Sequence, residues 1–179
     1  IARGLAVQGE LDLYARALAD LKAERGYAPQ VLAVTGTNGK TTTTAMTALL
    51  VERAGQRVAI AGNIGPTMLQ TLAEALDSDA DALPQVWVLE LSSFQLDGVT
   101  DFEPDAAALL NLTDDHLDWH GSMANYAAAK ARVWGRAAVA VVNRDDARVE
   151  ALVQAAQPQA SMAGSSTQAR PKTTVRAAA

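Results

Sequence analysis

The stretch VLAVTGTNGKTTTT, Val31–Thr44, decides the fold. It opens with a short apolar run, passes through two glycines and ends in Lys40 followed by four threonines. An apolar run of this length reads as a buried strand, and Thr41–Ala54 has the composition of a helix stopped by Gly55. The helix turns Ala45, Leu49 and Leu50 inward on this reading. A glycine loop between strand and helix lets successive N–H groups turn toward phosphate oxygens, and the helix N-terminus adds its positive end. Gly36, Thr37, Asn38, Gly39, Lys40, Thr41 and Thr42 are therefore candidate phosphate ligands, with the Lys40 amine on the terminal phosphates and the Thr41 hydroxyl on Mg²⁺. The spacing departs from the common G-x-x-x-x-G-K-[ST] pattern, because Val34 stands at its first glycine. The plain alternative is a glycine-rich turn with no ligand.

Outward from this stretch, strand and helix alternate. ELDLYARALADLKAER (10–25) spaces Leu11, Tyr14, Leu18 and Leu21 at helical intervals, with Gly26 as the stop. RVAIAG (57–62), QVWVLE (85–90) and AAVAVVN (137–143) read as strands. DAAALLN (105–111) does too, although its alanines leave helix open. Residues 66–76, with Pro66 in the first turn, 122–133, with Ser122 as N-cap, and 144–156 read as helices. This order predicts an α/β fold with a mostly parallel sheet covered by helices on both faces. Residues 157–179 lose the hydrophobic period and read as a disordered or aberrant tail.

The 179 residues suffice for one domain with a real core. Aromatic residues make up only 4%, so the core rests on Ala, Val and Leu. A net charge of −5 argues against a nucleic-acid partner. There is no Cys, which excludes disulfides and thiolate metal sites. No apolar run approaches the roughly 20 residues of a membrane span, and IARGLAVQGELDLY has neither a signal-peptide pattern nor an initiator Met. The expectation is an internal piece of a soluble, cytoplasmic protein.

Glu90 closes the run VWVLE, at the strand end where open α/β sheets bind ligands, and could hold Mg²⁺; a rim glutamate paired with a base is the alternative. Ser92 and Ser93 could cap the next helix or face a ligand. NLTDDHLDWHGS (111–122) gathers Asp114, Asp115, His116, Asp118 and His120, five potential metal ligands, on what is otherwise a solvated acidic turn. Lys130 lies in an alanine-rich helix, where periodicity alone leaves it a surface lysine.

The segments VTGTNGKTTT, GNIG, LELSSFQL, NLTDDHLDWHGSMANYAAAKARV and VVNRDD together resemble the Mur ligase family, the ATP-dependent amide ligases of peptidoglycan precursor synthesis. LELSSFQL is similar to the branch that adds D-glutamate. The resemblance implies ATP and Mg²⁺ as cofactors and a UDP-linked muramoyl substrate with D-glutamate as reactants. It implies a monomer with no nucleic-acid or membrane partner. It makes Lys40, Glu90, His116 and Lys130 the catalytic set, with Thr41 and Glu90 at one Mg²⁺, His116 at a second, and Lys130 a metal ligand as its carbamate. Asn63, Ser92 and Gln95 would contact the substrate or the transferring phosphate. Residues 1–29 would be the end of an N-terminal UDP-binding domain with its linker, and 30–156 part of the central ATP-binding domain.

Overall fold

The computed structural model describes residues 7–78, 83–156 and 173–177. Its elements run α1 (Glu10–Arg25), β1 (Gln30–Thr35), α2 (Lys40–Arg53), β2 (Val58–Gly62), α3 (Met68–Asp77), β3 (Val86–Glu90), α4 (Ser93–Leu96), β4 (Ala106–Leu109), α5 (Leu117–His120), α6 (Met123–Ala131), β5 (Val139–Asn143), α7 (Ala147–Ala156) and β6 (Thr173–Ala177). The six strands form one sheet in the order β2-β3-β1-β4-β5-β6, and every neighbouring pair is parallel. The expected α/β architecture is thus the one observed.

Helices cover both faces, and β3 shows it directly. All five of its residues are buried, as a strand covered on both sides requires. Trp87 and Leu89 point into the larger core, with Leu11, Tyr14, Met68, Leu72, Tyr126 and Val149. Val86 and Val88 point the other way, onto Ala48 of α2. Tyr14 meets Trp87 edge-on at 5.4 Å, and the Trp87 indole N–H donates to the Tyr27 hydroxyl at 2.9 Å.

The helix α1 ends as its sequence asks, with Gly26 in the left-handed region at φ 70. It is part of the main core, burying Leu11, Tyr14 and Leu21 there. Its Glu10 carboxylate accepts from the backbone N–H of Leu69 at 3.0 Å, tying α1 to the first turn of α3. The sequence boundary between 29 and 30 is therefore not a packing boundary.

Three local expectations change. In α2 the buried residues are Thr44 and Ala48, while Leu49 and Leu50 are exposed, as is Ala45. Small side chains are what let this helix lie close on the sheet behind its loop. Pro66 precedes α3 rather than entering its first turn: Thr67 is the N-cap, its hydroxyl accepting from Gln70 N. The tail expected over 157–179 contains a strand at 173–177, paired in parallel with β5; the rest of that tail lies outside the described residues. The stretch DSDADALP (77–84), whose composition reads as an acidic surface loop, is described only at its ends.

Candidate functional site

The loop between β1 and α2 is pinned by the segment that follows β4. Thr37 N donates to Asn111 O at 3.0 Å, and Asn38 N to Asn111 Oδ1 at 2.8 Å. Asn111 returns a bond from Nδ2 to Asn38 O at 3.0 Å. The Thr37 hydroxyl joins Thr113 through both backbone groups and lies 2.9 Å from the Tyr126 phenol. The Asn38 amide is therefore committed to the protein, and the candidate phosphate donors are the amides that begin the helix. Gly39 is the N-cap at φ 82, a conformation that favours glycine. Lys40 curls back over the loop, its Nζ donating to Gly36 O at 3.1 Å and Thr37 O at 3.0 Å. Thr41 and Thr42 are exposed in the first turn.

Lys130 comes to the same carbonyl from the opposite direction. It is 2% exposed, and its Nζ donates to Gly36 O at 2.8 Å and to Thr35 Oγ1 at 3.4 Å. Its amine also lies 5.0 Å from the centre of the Tyr126 ring. Burial, reinforced by the nearby charge of Lys40 and opposed by Asp115, pushes this amine down to about 8. The surface alternative for Lys130 is excluded.

Glu90 ends β3 at the carboxyl edge of the sheet and is 3% exposed. Asn63 Nδ2 donates to its carboxylate at 3.2 Å. The strands approach closely here, since a Cβ on Gly62 would sit 2.2 Å from Glu90 O. Gly62, at φ 124, thereby fixes where Glu90 and Asn63 meet.

His116 begins α5 at φ 49, the left-handed region, beside Asp115 at 3.4 Å. The other members of the expected ligand cluster disperse. Asp114 pairs with Arg148 at 2.7 Å, Asp118 faces outward, and His120 is buried, stacked on Phe94. The short helix α5 turns these residues to different sides. Among the described residues, no three of His, Asp and Glu gather as a metal site.

Ser92 and Gln95 are also spent locally. Ser92 is the N-cap of α4, accepting from Gln95 N, while Gln95 Oε1 accepts from both Ser92 N and Ser92 Oγ. Ser92 is half-buried and Ser93 fully buried, and both belong to the wall of a cavity at this edge of the sheet.

This cavity, of about 70 Å³, gathers part of the site, with Glu90 and Thr41 outside its lining. Lys40, Asn63, Ser93, His116, Tyr126 and Lys130 are in its wall, with Asp115 the acid among them. Two contributors escaped sequence reasoning. Tyr126 sits four residues before Lys130 on α6, so the helical interval was a usable signal. Asn111 follows an apolar run as Glu90 does. For Ser93 no sequence signal separates it from its neighbour.

The donors suit magnesium better than a softer metal. A buried carboxylate and a hydroxyl at the loop are hard oxygen ligands, and Mg²⁺ is commonly held by one or two protein carboxylates with phosphate oxygens completing the shell.

Residues 34–178 match the Mur ligase middle domain. The chain is 63% identical over 150 residues to the UDP-N-acetylmuramoylalanine--D-glutamate ligase of Albidiferax ferrireducens, covering 84% of this chain and 29% of that protein. It thus spans under a third of that relative's length. Among solved structures, a UDP-N-acetylmuramoyl-L-alanyl-D-glutamate--2,6-diaminopimelate ligase superposes with a TM-score of 0.68 at 31% identity, over 93% of this chain and 36% of the other. The MurF ligase of Thermotoga maritima in complex with ADP shares the fold with a TM-score of 0.62 at 23% identity, over 84% of this chain and 36% of the other. A parallel sheet, a lysine-bearing glycine loop at its carboxyl edge and a match over most of the sequence lead to one assignment: the chain belongs to the Mur ligase family.

Proposed function

We propose that this domain serves the ATP-dependent joining of D-glutamate to UDP-N-acetylmuramoyl-L-alanine in the cytoplasm. The observation that carries the reading is the convergence of Lys40, Lys130, His116 and Asn63 on one small cavity beside the glycine loop. The 63% identity to a ligase named for that reaction supports the choice of substrates. The ADP named with the Thermotoga maritima relative supports a nucleotide at the loop.

In this reading an oxygen of the substrate carboxylate attacks the γ-phosphorus of ATP, and ADP leaves. The acyl phosphate then takes the amine of D-glutamate at its carbonyl carbon, phosphate departs, and an amide remains. Lys40 exchanges its loop carbonyls for phosphate oxygens and offsets their charge. The Lys130 amine, in its neutral form, adds CO₂ and releases a proton to become a carbamate. Thr41 and Glu90 would hold one Mg²⁺, with His116 and the Lys130 carbamate as further ligands. When bound, magnesium neutralises charge between two anions that otherwise repel. Asn63 orients Glu90.

The test is ligation by the full-length protein, given ATP, Mg²⁺ and the UDP-muramoyl-alanine substrate, with D-glutamate, L-glutamate, diaminopimelate and lysine offered in turn. Product with D-glutamate alone is the expected result. Ligation of a different amino acid, or no ATP-dependent product, overturns it.

A further inference from the structure

The two serines of LELSSFQL meet opposite fates. Ser92 has its hydroxyl fully engaged in the cap of α4. Ser93 is 1% exposed, and its Oγ has no hydrogen-bond partner in the protein. A buried hydroxyl left unmatched disfavours the fold, so packing alone would be better served by alanine. Ser93 nonetheless lies in the wall of the cavity, with Lys40, Asn63, His116 and Lys130.

We propose that Ser93 is a substrate-binding residue whose hydroxyl donates a hydrogen bond to an oxygen of the phosphoryl group in transit from nucleotide to carboxylate. This rests on the ligase reading above. Three features of the cavity point to that ligand. Its volume of about 70 Å³ holds a few waters or one tetrahedral oxyanion. Lys40 in its wall favours an anion, as would the Mg²⁺ that the reading above places beside the Lys130 carbamate. Its other side chains already have partners. Asn63 is bound to Glu90, Lys40 and Lys130 are bound to Gly36 O, and the Tyr126 phenol is bound to Thr37. Of these groups, the Ser93 hydroxyl is the one with no partner at all. Being already out of water, that donor binds an oxyanion without losing solvent first.

The experiment compares Ser93→Ala and Ser93→Cys with the wild type in the full-length protein. Three things are measured: the thermal midpoint, calorimetric affinity for Mg²⁺ complexes of ADP and of a non-hydrolysable triphosphate analogue, and kcat for ligation. Both variants should unfold at the wild-type midpoint or above it and bind ADP as the wild type does. They should lose triphosphate affinity or kcat by about 10²-fold. Wild-type kcat and triphosphate affinity in the variants overturn the assignment. So does a lowered midpoint with equal losses for ADP and the triphosphate, which marks a structural serine. If the alanine variant does not fold, the cysteine variant, closer in volume, decides; failure of both to fold also overturns the proposal. A wild type that neither binds the analogue nor forms product removes the ligase reading itself, whereas an active wild type with unchanged variants removes only Ser93.

Discussion

Trp87 and Val88 are neighbours on β3 and face opposite ways. Trp87 enters a core shared with α1, α3, α6 and α7. Val88 meets Ala48 and Val86, with Leu32, Val51 and Val58 partly buried around them. Beyond that thin layer α2 presents Met46, Leu49 and Leu50 outward. Each face sends one lysine to the Gly36 carbonyl. The thick side delivers Lys130, locked at 2% exposure under Tyr126, and the thin side delivers Lys40, partly exposed on the first turn of α2. Under the proposed function the contrast suits two kinds of work: a fixed amine for a permanent fitting of the site, and an accessible one for a group that swaps loop carbonyls for phosphate.

The strongest way to break this comparison is Lys130→Ala in the full-length protein. The fold should survive while ligation falls by about 10³-fold or more. Short carboxylic acids added to the assay should restore part of it by replacing the missing anion. Full activity in the variant, or no rescue at any concentration, would show that Lys130 is only a packing residue. In stability, Trp87→Ala should cost about 3–5 kcal/mol, against about 1–2 kcal/mol for Val88→Ala, both read from urea unfolding. Equal costs would erase the difference between the faces.

A pH series sharpens it further. The folded-state value of Lys130, about 8, lies below the ordinary lysine value of 10.5. The buried ammonium therefore disfavours the fold fully below pH 8, and the penalty fades as pH rises toward 10.5, because there the unfolded state binds more protons. In CO₂-free buffer, wild-type stability relative to Lys130→Met should rise between pH 8 and 10, by at most about 1.4 kcal/mol per pH unit. A flat difference would mean the amine is solvated. The smallest effect is expected at Leu50→Lys, within about 0.5 kcal/mol of wild type in the isolated chain.

The sheet was legible because its signals are local: apolar runs between glycine and proline stops, and a helical interval in Leu11, Tyr14 and Leu21. The inward face of α2 was not, because pattern reading puts the largest apolar residues inside. Packing behind the loop selects Thr44 and Ala48 instead. The strand at 173–177 was missed for want of any long apolar run; its partner β5 is identified only in three dimensions. At the site, the loop and Glu90 follow from position at strand ends. Lys130 needed the family resemblance, since nothing near it in the chain announces Gly36. Which serine caps α4 depends on where the helix starts, and that is fixed by tertiary packing.

The placement of β1 between β3 and β4 has a kinetic consequence. Neither neighbour is β2, the next strand made, so the strand that carries the loop has no partner while the next 50 or so residues are being synthesised. At about 5–20 residues per second, the roughly 70 residues separating β1 from its second partner take several seconds to follow it from the ribosome. Through that interval the glycine loop lacks the Asn111–Thr113 segment that pins it. Parallel pairings this distant also close slowly in refolding, because the entropy of a long loop is lost before any contact forms. Nucleotide-binding capacity should therefore be among the last properties a newly made chain acquires, arriving only after β4 has docked.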